Sequence, residues 1–388
     1  MFGNSRGACL ALILAGVSLL SACGGGDGGS GGSSSSGGAS SSSSSSGASS
    51  SSSGSTLTAC QRQFDPTLIA SEDCSPLPVY GTFCPESTST SITNSSTVNS
   101  CDDVSVAKGT ATANGLSSDF VVVTPSTGGT KGTYLALHWA LANGPTMVNR
   151  LRLSELAKAR DITVIAPTAP GPVQTWGNSL VNPTSTVADR IALLQAVLAA
   201  AKGSSLTPQV AVAGSTPRLI VSGLSGGGIM AYDYACANAD TVTGVEIVAA
   251  EITPADVTAC APTKSVATVQ VHGTNDLVAP YSTVPFLYAG VVPVFQQLYG
   301  NNGCSAPGIL TASMASTNPL VSSIGLQWLT GCTASQSSGL VTINGGGHNW
   351  PGMDQSFQLP IDVNVFGAIS QDFDATLQGY DLLTYLGG

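Results

Sequence analysis

The chain reads as an α/β protein with a mainly parallel sheet and helices on both faces. Two observations carry that reading. From Asp119 onward, short continuous apolar runs alternate with longer helix-like segments, the punctuation of β-α-β units. Between two of them, Arg218-Leu-Ile-Val-Ser-Gly-Leu-Ser225-Gly-Gly-Gly-Ile-Met-Ala-Tyr-Asp-Tyr-Ala-Cys236 passes from a β-rich run through Gly-x-Ser-x-Gly into a helix-like pattern. That context describes a serine on a strained strand-to-helix turn, with Gly223 and Gly227 letting the chains approach closely. The pattern alone is weak: with 46 glycines, about one chance match is expected, and the stretch Gly28-Gly-Ser30-Gly-Gly32 is one.

Taken in order, residues 1–22 carry one early positive charge, Arg6, and an apolar run from Ala8 to Leu20 too short to span a membrane. This is a signal peptide. It ends in Leu20-Ser-Ala-Cys23, similar to a bacterial lipoprotein box, which implies lipidation of Cys23. Gly24 after the cysteine implies delivery to the outer membrane of a Gram-negative cell. Residues 24–56 are almost entirely Gly and Ser and read as a flexible tether. Residues 57–114 hold four cysteines among Ser, Thr and Pro and read as a loop-rich lead-in. The catalytic body is expected over 115–388. Its strands are placed at Phe120–Val123, Thr133–His138, Ile162–Ala166, Leu219–Val221, Val245–Ala249, Thr268–Val271 and Leu340–Ile343. Its helices are placed at Met147–Arg160, Val187–Lys202, after Ser225, near Val291–Tyr299 and near Ser370–Tyr385.

Charged residues are 9% of the chain and the formal net charge is −10. Such a surface repels nucleic acid and offers little to anionic substrates, so a neutral substrate is expected. Of ten cysteines, Cys9 leaves with the signal and Cys23 is acylated. An even eight remain in an oxidising compartment, which points to disulfides. Neighbour order pairs Cys60 with Cys74, Cys84 with Cys101, Cys236 with Cys260 and Cys304 with Cys332. With three histidines, no Cys-x-x-Cys and no His-x-x-x-His, neither a metal site nor a cofactor is expected.

A serine nucleophile needs a base in hydrogen-bond reach and an acid that orients the base. Ser225 is the candidate nucleophile. His348, in the glycine-rich loop Gly345-Gly-Gly-His-Asn-Trp-Pro351 after a strand, is the candidate base. Asp276, in Thr268-Val-Gln-Val-His-Gly-Thr-Asn-Asp276, is the candidate acid, since it follows a strand and lies between nucleophile and base. Its plain alternative is a turn-forming aspartate. Glu251 and Asp256 compete for the role; Asp354 and Asp362 come after His348 and break the order. His138 and His272 end strands and read as structural histidines bonding loop backbone.

The three motifs Gly-Leu-Ser225-Gly-Gly-Gly, Val-His272-Gly-Thr-Asn-Asp276-Leu-Val-Ala-Pro-Tyr281 and Gly-Gly-Gly-His348-Asn-Trp-Pro-Gly352 together resemble the poly(3-hydroxybutyrate) depolymerase-like esterase branch of the α/β-hydrolases, over roughly Tyr134 to Pro351. The resemblance implies a Ser225–His348–Asp276 triad, disulfides Cys236–Cys260 and Cys304–Cys332, and an oxyanion loop after the Thr133–His138 strand. That loop departs from the family, which has His-Gly where this chain has His138-Trp139. Gly226 is expected to give one oxyanion amide and Trp139 or Ala140 the second. Trp139, Trp176, Trp328 and Trp350 are expected to line a cleft for a neutral chain-like substrate. No substrate-binding domain is visible past His348, so a soluble polymer or oligomer reaching a lipid-anchored monomer is favoured over a solid particle. Hydroxyalkanoate or feruloyl-type esters are the alternatives within enzymes, and a non-catalytic surface-binding lipoprotein is the reading from another class.

Overall fold

The chain threads its strands so that three loops meet at one end of a single sheet. The computed structural model describes residues 95–99, 101–177, 185–203, 205–209, 218–304, 309–329, 332, 336–353 and 366–386, all within the unit Ala59–Gly388. Ten strands are found among them: β1 (Val104–Ala113), β2 (Leu116–Pro125), β3 (Gly132–Leu137), β4 (Ile162–Pro167), β5 (Leu219–Leu224), β6 (Gly244–Val248), β7 (Ala267–Gly273), β8 (Ile309–Ala315), β9 (Ser323–Leu329) and β10 (Ser338–Asn344). Their order is β1-β2-β4-β3-β5-β6-β7-β10-β9-β8. The six strands from β4 to β10 are parallel, and antiparallel pairs close both edges.

Among the described residues seven helices cover the sheet: α1 (Gly144–Arg150), α2 (Leu153–Arg160), α3 (Val187–Ala201), α4 (Gly226–Ala237), α5 (Pro254–Ala259), α6 (Val291–Asn301) and α7 (Leu377–Leu386). Side-chain alternation along the strands builds a core on each face. Tyr134 and Ala136 of β3 pack with Met147, Leu151, Leu156, Leu377 and Leu383 of α1, α2 and α7. Leu135 and Leu137 of the same strand pack with Leu194, Val197, Ile229 and Met230 of α3 and α4. This is the α/β-hydrolase arrangement. The chain leaves β3 for β4 and then crosses back to β5, so strand order reverses between β3 and β5, where open α/β sheets place their ligands.

The elements depart from the sequence expectation where tertiary contacts decide. The loop-rich reading fails over β1, which pairs with β2 along its whole length; its exposed polar residues alternate with buried ones only because one face meets α3. The helix expected over Met147–Arg160 is two helices. Arg152 adopts φ 54°, ψ 38°, and its guanidinium leaves to meet the Asp374 carboxylate and the Gly352 carbonyl. Asp374 in turn accepts from the N–H groups of Thr376 at 2.9 Å and Leu377 at 3.2 Å. It fixes the start of α7 seven residues later than expected. The strands β8 and β9 and the helix α5 are additions, the last opened by a capping box between Thr253 and Asp256.

One buried carboxyl crosses the inner strands. Glu246 of β6 is fully buried and accepts from Tyr134 Oη at 2.8 Å and Ser222 Oγ at 2.9 Å. Gly379 leaves it room, since a Cβ there would lie 2.0 Å from its Oε1. Burial, countered in part by those two hydrogen bonds, pushes its pKa from 4.5 up to about 8. The folded value lies above the unfolded one, so the bound proton stabilises the fold. That contribution is full below about pH 4.5 and is lost as pH rises toward 8. Glu246→Gln, which cannot ionise, should therefore gain stability relative to wild type as pH is raised from 5 to 8, by at most about 1.4 kcal/mol per pH unit. Urea unfolding at both pH values checks this; a difference independent of pH would place the ionisation elsewhere.

Candidate active site

The short link between β5 and α4 holds the candidate nucleophile. Ser225 is held at φ 57°, ψ −122°, a region costly for a residue with a Cβ. Its N–H donates to Val248 O at 2.9 Å and its carbonyl accepts from Ile229 N at 3.0 Å. Glycine makes the turn fit. A Cβ on Gly223 would lie 2.2 Å from the Gly227 carbonyl, and one on Gly227 would lie 1.9 Å from Leu137 O. Ser225 stays partly exposed between buried Leu224 and buried Gly226, so the serine side chain is what the turn presents.

Acid and base come from neighbouring strands. β10 runs parallel to β7, and the loops after them are joined by Thr274 N to Ile343 O at 3.0 Å, Asn275 N to Gly346 O at 2.8 Å and Gly345 N to Thr274 Oγ1 at 2.8 Å. His348 Nδ1 then lies 2.8 Å from Asp276 Oδ2. The other oxygen, Oδ1, accepts from Val278 N at 2.9 Å and Ala279 N at 2.7 Å. The turn-forming and base-orienting readings of Asp276 are thus both met by one carboxylate. With Oδ2 as acceptor, His348 carries its proton on Nδ1 and leaves Nε2 free. Ser225 Oγ makes no hydrogen bond among the described residues.

The electrostatics of the pair are mutual. Burial alone would raise the Asp276 pKa, but the charge and hydrogen bonds of His348 and His272 bring it far below the usual carboxylate range. Burial lowers that of His348, but Asp276, by charge and by hydrogen bond, and then Glu251 raise it above its ordinary 6.5. Glu251 is the competitor that stayed close. Half-buried near both histidines and Asp276, its own pKa is raised by desolvation. Asp256 is taken up by its capping box. Asp354 and Asp362 lie outside the described residues.

The other two histidines hold loops. His138 Nδ1 donates to Trp139 O at 2.6 Å while Nε2 accepts from Ala169 N at 2.9 Å. Burial lowers its pKa to about 4, so it stays neutral. His272 Nε2 faces Ala279 O at 2.7 Å and Asp276 Oδ2 at 3.3 Å. The contact to Asp276 was not foreseen, although His-x-x-x-Asp across the end of a strand is a signal that could have found it. Phe366, whose carbonyl accepts from His348 N and whose ring lies 6.0 Å from the imidazole, had no such signal.

The oxyanion loop leaves β3 against the elbow. A Cβ on Gly227 would lie 2.7 Å from His138 O, so that carbonyl faces α4 and, across a trans peptide, the Trp139 N–H faces away. Trp139 O is occupied by His138 and by Ala142 N at 3.3 Å. The N–H groups of Gly226 and Ala140 donate to no protein acceptor among the described residues.

Of the four tryptophans only Trp139 borders the site. It lines a small cavity of about 50 Å³ with Arg150, Leu224, His348, Asn349, Met353 and Phe366, with the Arg150 guanidinium 5.7 Å from its ring centre. Trp176, Trp328 and Trp350 are core residues, at most 2% exposed, and do not line a cleft. Trp350 donates to Thr376 Oγ1 at 3.0 Å and Trp176 packs on His138. Their large apolar area outweighs the loop positions of Trp176 and Trp350, and Trp328 packs from β9.

Cys236–Cys260 and Cys304–Cys332 are disulfides. Cys101 is disulfide-bonded; Cys60, Cys74, Cys84 and the lipidation candidate Cys23 lie outside the described residues. No cluster of three metal-binding side chains occurs among the described residues.

No protein-family model matches the chain, and no curated protein matches it by sequence. Solved structures align with it at low identity. An acetyl xylan esterase from Aspergillus awamori is 12% identical over 71% of this chain and 99% of that one, with a TM-score of 0.43. A cold-adapted esterase from an Arctic intertidal metagenomic library, in complex with PEG, is 14% identical over 53% and 84%, at 0.40. A putative dienelactone hydrolase from Klebsiella pneumoniae subsp. pneumoniae is 15% identical over 51% and 82%, at 0.37. The site is assigned from this chain's own contacts.

A base must be neutral to take a proton, so with His348 in that role activity is expected to fall as pH drops through its raised pKa. The acid limb of kcat/KM is expected above pH 6.5. Glu251→Gln should move it down, and Asp276→Asn should move it further while lowering kcat by about 10³- to 10⁴-fold. A pH profile unmoved by both variants would exclude His348 as the titrating group. The cavity beside Trp139 has room for about two water-sized groups. Trp139→Ala should raise hexanoate over acetate turnover on aryl esters severalfold; an unchanged ratio would mean the indole does not wall the acyl side.

Proposed function

We propose that the chain is an exported serine hydrolase that cleaves a neutral polymer, most specifically the β-diketones of oxidized poly(vinyl alcohol). The observation that carries the hydrolase reading is the hydrogen bond from His348 to a carboxylate that also accepts from two backbone N–H groups and lies 3.3 Å from His272 Nε2, at the sheet end where the elbow presents Ser225. Ser225 Oγ adds to one carbonyl carbon while His348 Nε2 takes its proton. The oxyanion is held by the N–H groups of Gly226 and Ala140. Collapse breaks the carbon–carbon bond to the central methylene, and protonated His348 gives its proton to the leaving enolate. A methyl ketone departs and an acyl-Ser225 remains. Water, deprotonated by His348, releases a carboxylic acid, so each cut consumes one water.

The substrate class rests on the near absence of charge in the chain, on the resemblance of its three motifs to polyester-cleaving α/β-hydrolases, and on the lipoprotein-like signal with its Gly/Ser tether. These features together are similar to those of oxidized poly(vinyl alcohol) hydrolase. The disulfides are compatible with the oxidising compartment outside the inner membrane. The tether would hold a monomeric body on the envelope, where soluble polymer arrives.

The test compares wild type and Ser225→Ala on oxidized poly(vinyl alcohol), following diketone absorbance and chain length, with hydroxybutyrate oligomers and feruloyl esters alongside. Loss of diketone and shortening by wild type alone is the expected result. Cleavage of esters only would make the protein a depolymerase-type or feruloyl-type esterase, and ligand retention with no turnover would make it a binding lipoprotein.

A further inference from the structure

The described residues include seven exposed large hydrophobic side chains, and their distribution is one-sided. Leu141 follows β3 and Val173 follows β4, joined where Leu141 N donates to Val173 O at 3.2 Å. Leu277, Phe286 and Leu287 lie in the segment after β7, and Val292 is in the first turn of α6, where that segment ends. Leu320, between β8 and β9, sits beside the start of the His348 loop, since a Cβ on Gly345 would lie 2.4 Å from its carbonyl. Every one is therefore at the carboxyl end of the parallel strands, the end that carries Ser225, Asp276 and His348. Single exposed apolar side chains are ordinary; seven gathered at one end of a sheet are not.

Two of them sit on strained backbone. Phe286 is 99% exposed at φ 65°, on the tip of a turn closed by Val284 N to Tyr288 O at 3.0 Å and Tyr288 N to Val284 O at 2.9 Å. Leu141 is half exposed at φ 66°. A bulky side chain gains nothing for the fold by standing in water on a left-handed residue that glycine would fill more cheaply.

Apart from Arg150, which lines the cavity beside Trp139, the described loops at the same end are almost without charge. Residues 138–143, 168–177, 249–253, 274–290, 316–322 and 345–353 contain no Lys or Arg, and their only carboxylates are Glu251 and Asp276. Asp276 is buried in its network, and Asp372, behind the 316–317 turn, is bonded to Ser316 and Thr317.

We infer that this rim, with Phe286, Leu277 and Leu320 as its most exposed points, docks the uncharged, carbon-rich polymer strand that flanks the scissile bond. The occupant follows from charge and position. A face built for anionic lipid would carry Lys or Arg, and a second copy packed on it would cover the entrance to Ser225. An uncharged strand is complementary to the rim and has to cross it to reach the nucleophile. The inference rests on the hydrolase reading of that site.

The test uses the full chain carrying Phe286→Ser and Leu320→Ser together, in active and in Ser225→Ala backgrounds. In the inactive background, binding to oxidized poly(vinyl alcohol) and to poly(3-hydroxybutyrate) nanoparticles is measured beside polyacrylate and phosphatidylcholine vesicles. Binding to at least one uncharged polymer, none to polyacrylate, and at least a tenfold loss in the variant are expected. In the active background, p-nitrophenyl acetate turnover should stay within twofold, which also reports an intact fold, while polymer cleavage falls at least tenfold. Equal polymer binding with and without the substitutions, binding to vesicles alone, or a dimer that the substitutions dissolve would overturn the inference. Absence of p-nitrophenyl acetate turnover in wild type would instead overturn the hydrolase reading, and polymer binding by the Ser225→Ala protein would still decide the rim.

Discussion

The site depends on how closely α4 can approach β3 and β5. Ser225 occupies a backbone conformation that its own chemistry disfavours, at a cost on the order of 1–3 kcal/mol. The conformation persists because the structure on both sides leaves no alternative: the N–H is tied to β6, the carbonyl to the first turn of α4, and the backbone of Gly227 lies against the end of β3. The contact that forces Ser225 outward also places the loop after β3 beside it. The candidate nucleophile and the loop after β3 are therefore placed by one packing constraint, with His138 holding the loop from behind through Trp139 O and Ala169 N.

The acid–base pair has a different origin. Parallel pairing of β7 with β10 puts two loops of distant sequence in register, and backbone hydrogen bonds between them bring Asp276 and His348 together before their side chains interact. The carboxylate then accepts from two backbone N–H groups and from His348, with the His272 imidazole 3.3 Å away. That stabilises its ionised form in a buried place and raises the basicity of His348 in return. Glu251 adds to the same effect from the loop after β6. Every inner parallel strand next to the site thus sends one contribution to the same end of the sheet.

Charge is distributed with the same one-sidedness. Glu246 lies deep between the strands, and the Arg152–Asp374 and Arg160–Asp381 pairs lie on the α2/α7 side, while the loops around Ser225 are nearly uncharged. A surface so nearly uncharged gives little electrostatic steering to any ligand, so apolar contact and the few polar groups at the site are what it offers for recognition.

The class of fold, the elbow and the three candidate residues were legible in the sequence because each has a local signature. Buried parallel strands are continuous apolar runs, and the elbow needs glycines at fixed offsets from Ser225. Acid and base follow strands in a set order. What sequence could not supply were quantities fixed by contacts between distant segments. The alternation in β1 is too mild to announce a strand until β2 and α3 cover it. Whether Met147–Arg160 is one helix or two turns on Asp374, more than two hundred residues away, drawing off the Arg152 side chain. Trp176 and Trp350, beside motifs, and Trp328, between the candidate acid and base, proved to be core, because a residue's place along the chain does not say which way its ring packs. Nor does a sequence show that seven apolar side chains share one end of a sheet. Local periodicity reports which residues avoid water, and only the assembled strands decide where the exceptions gather.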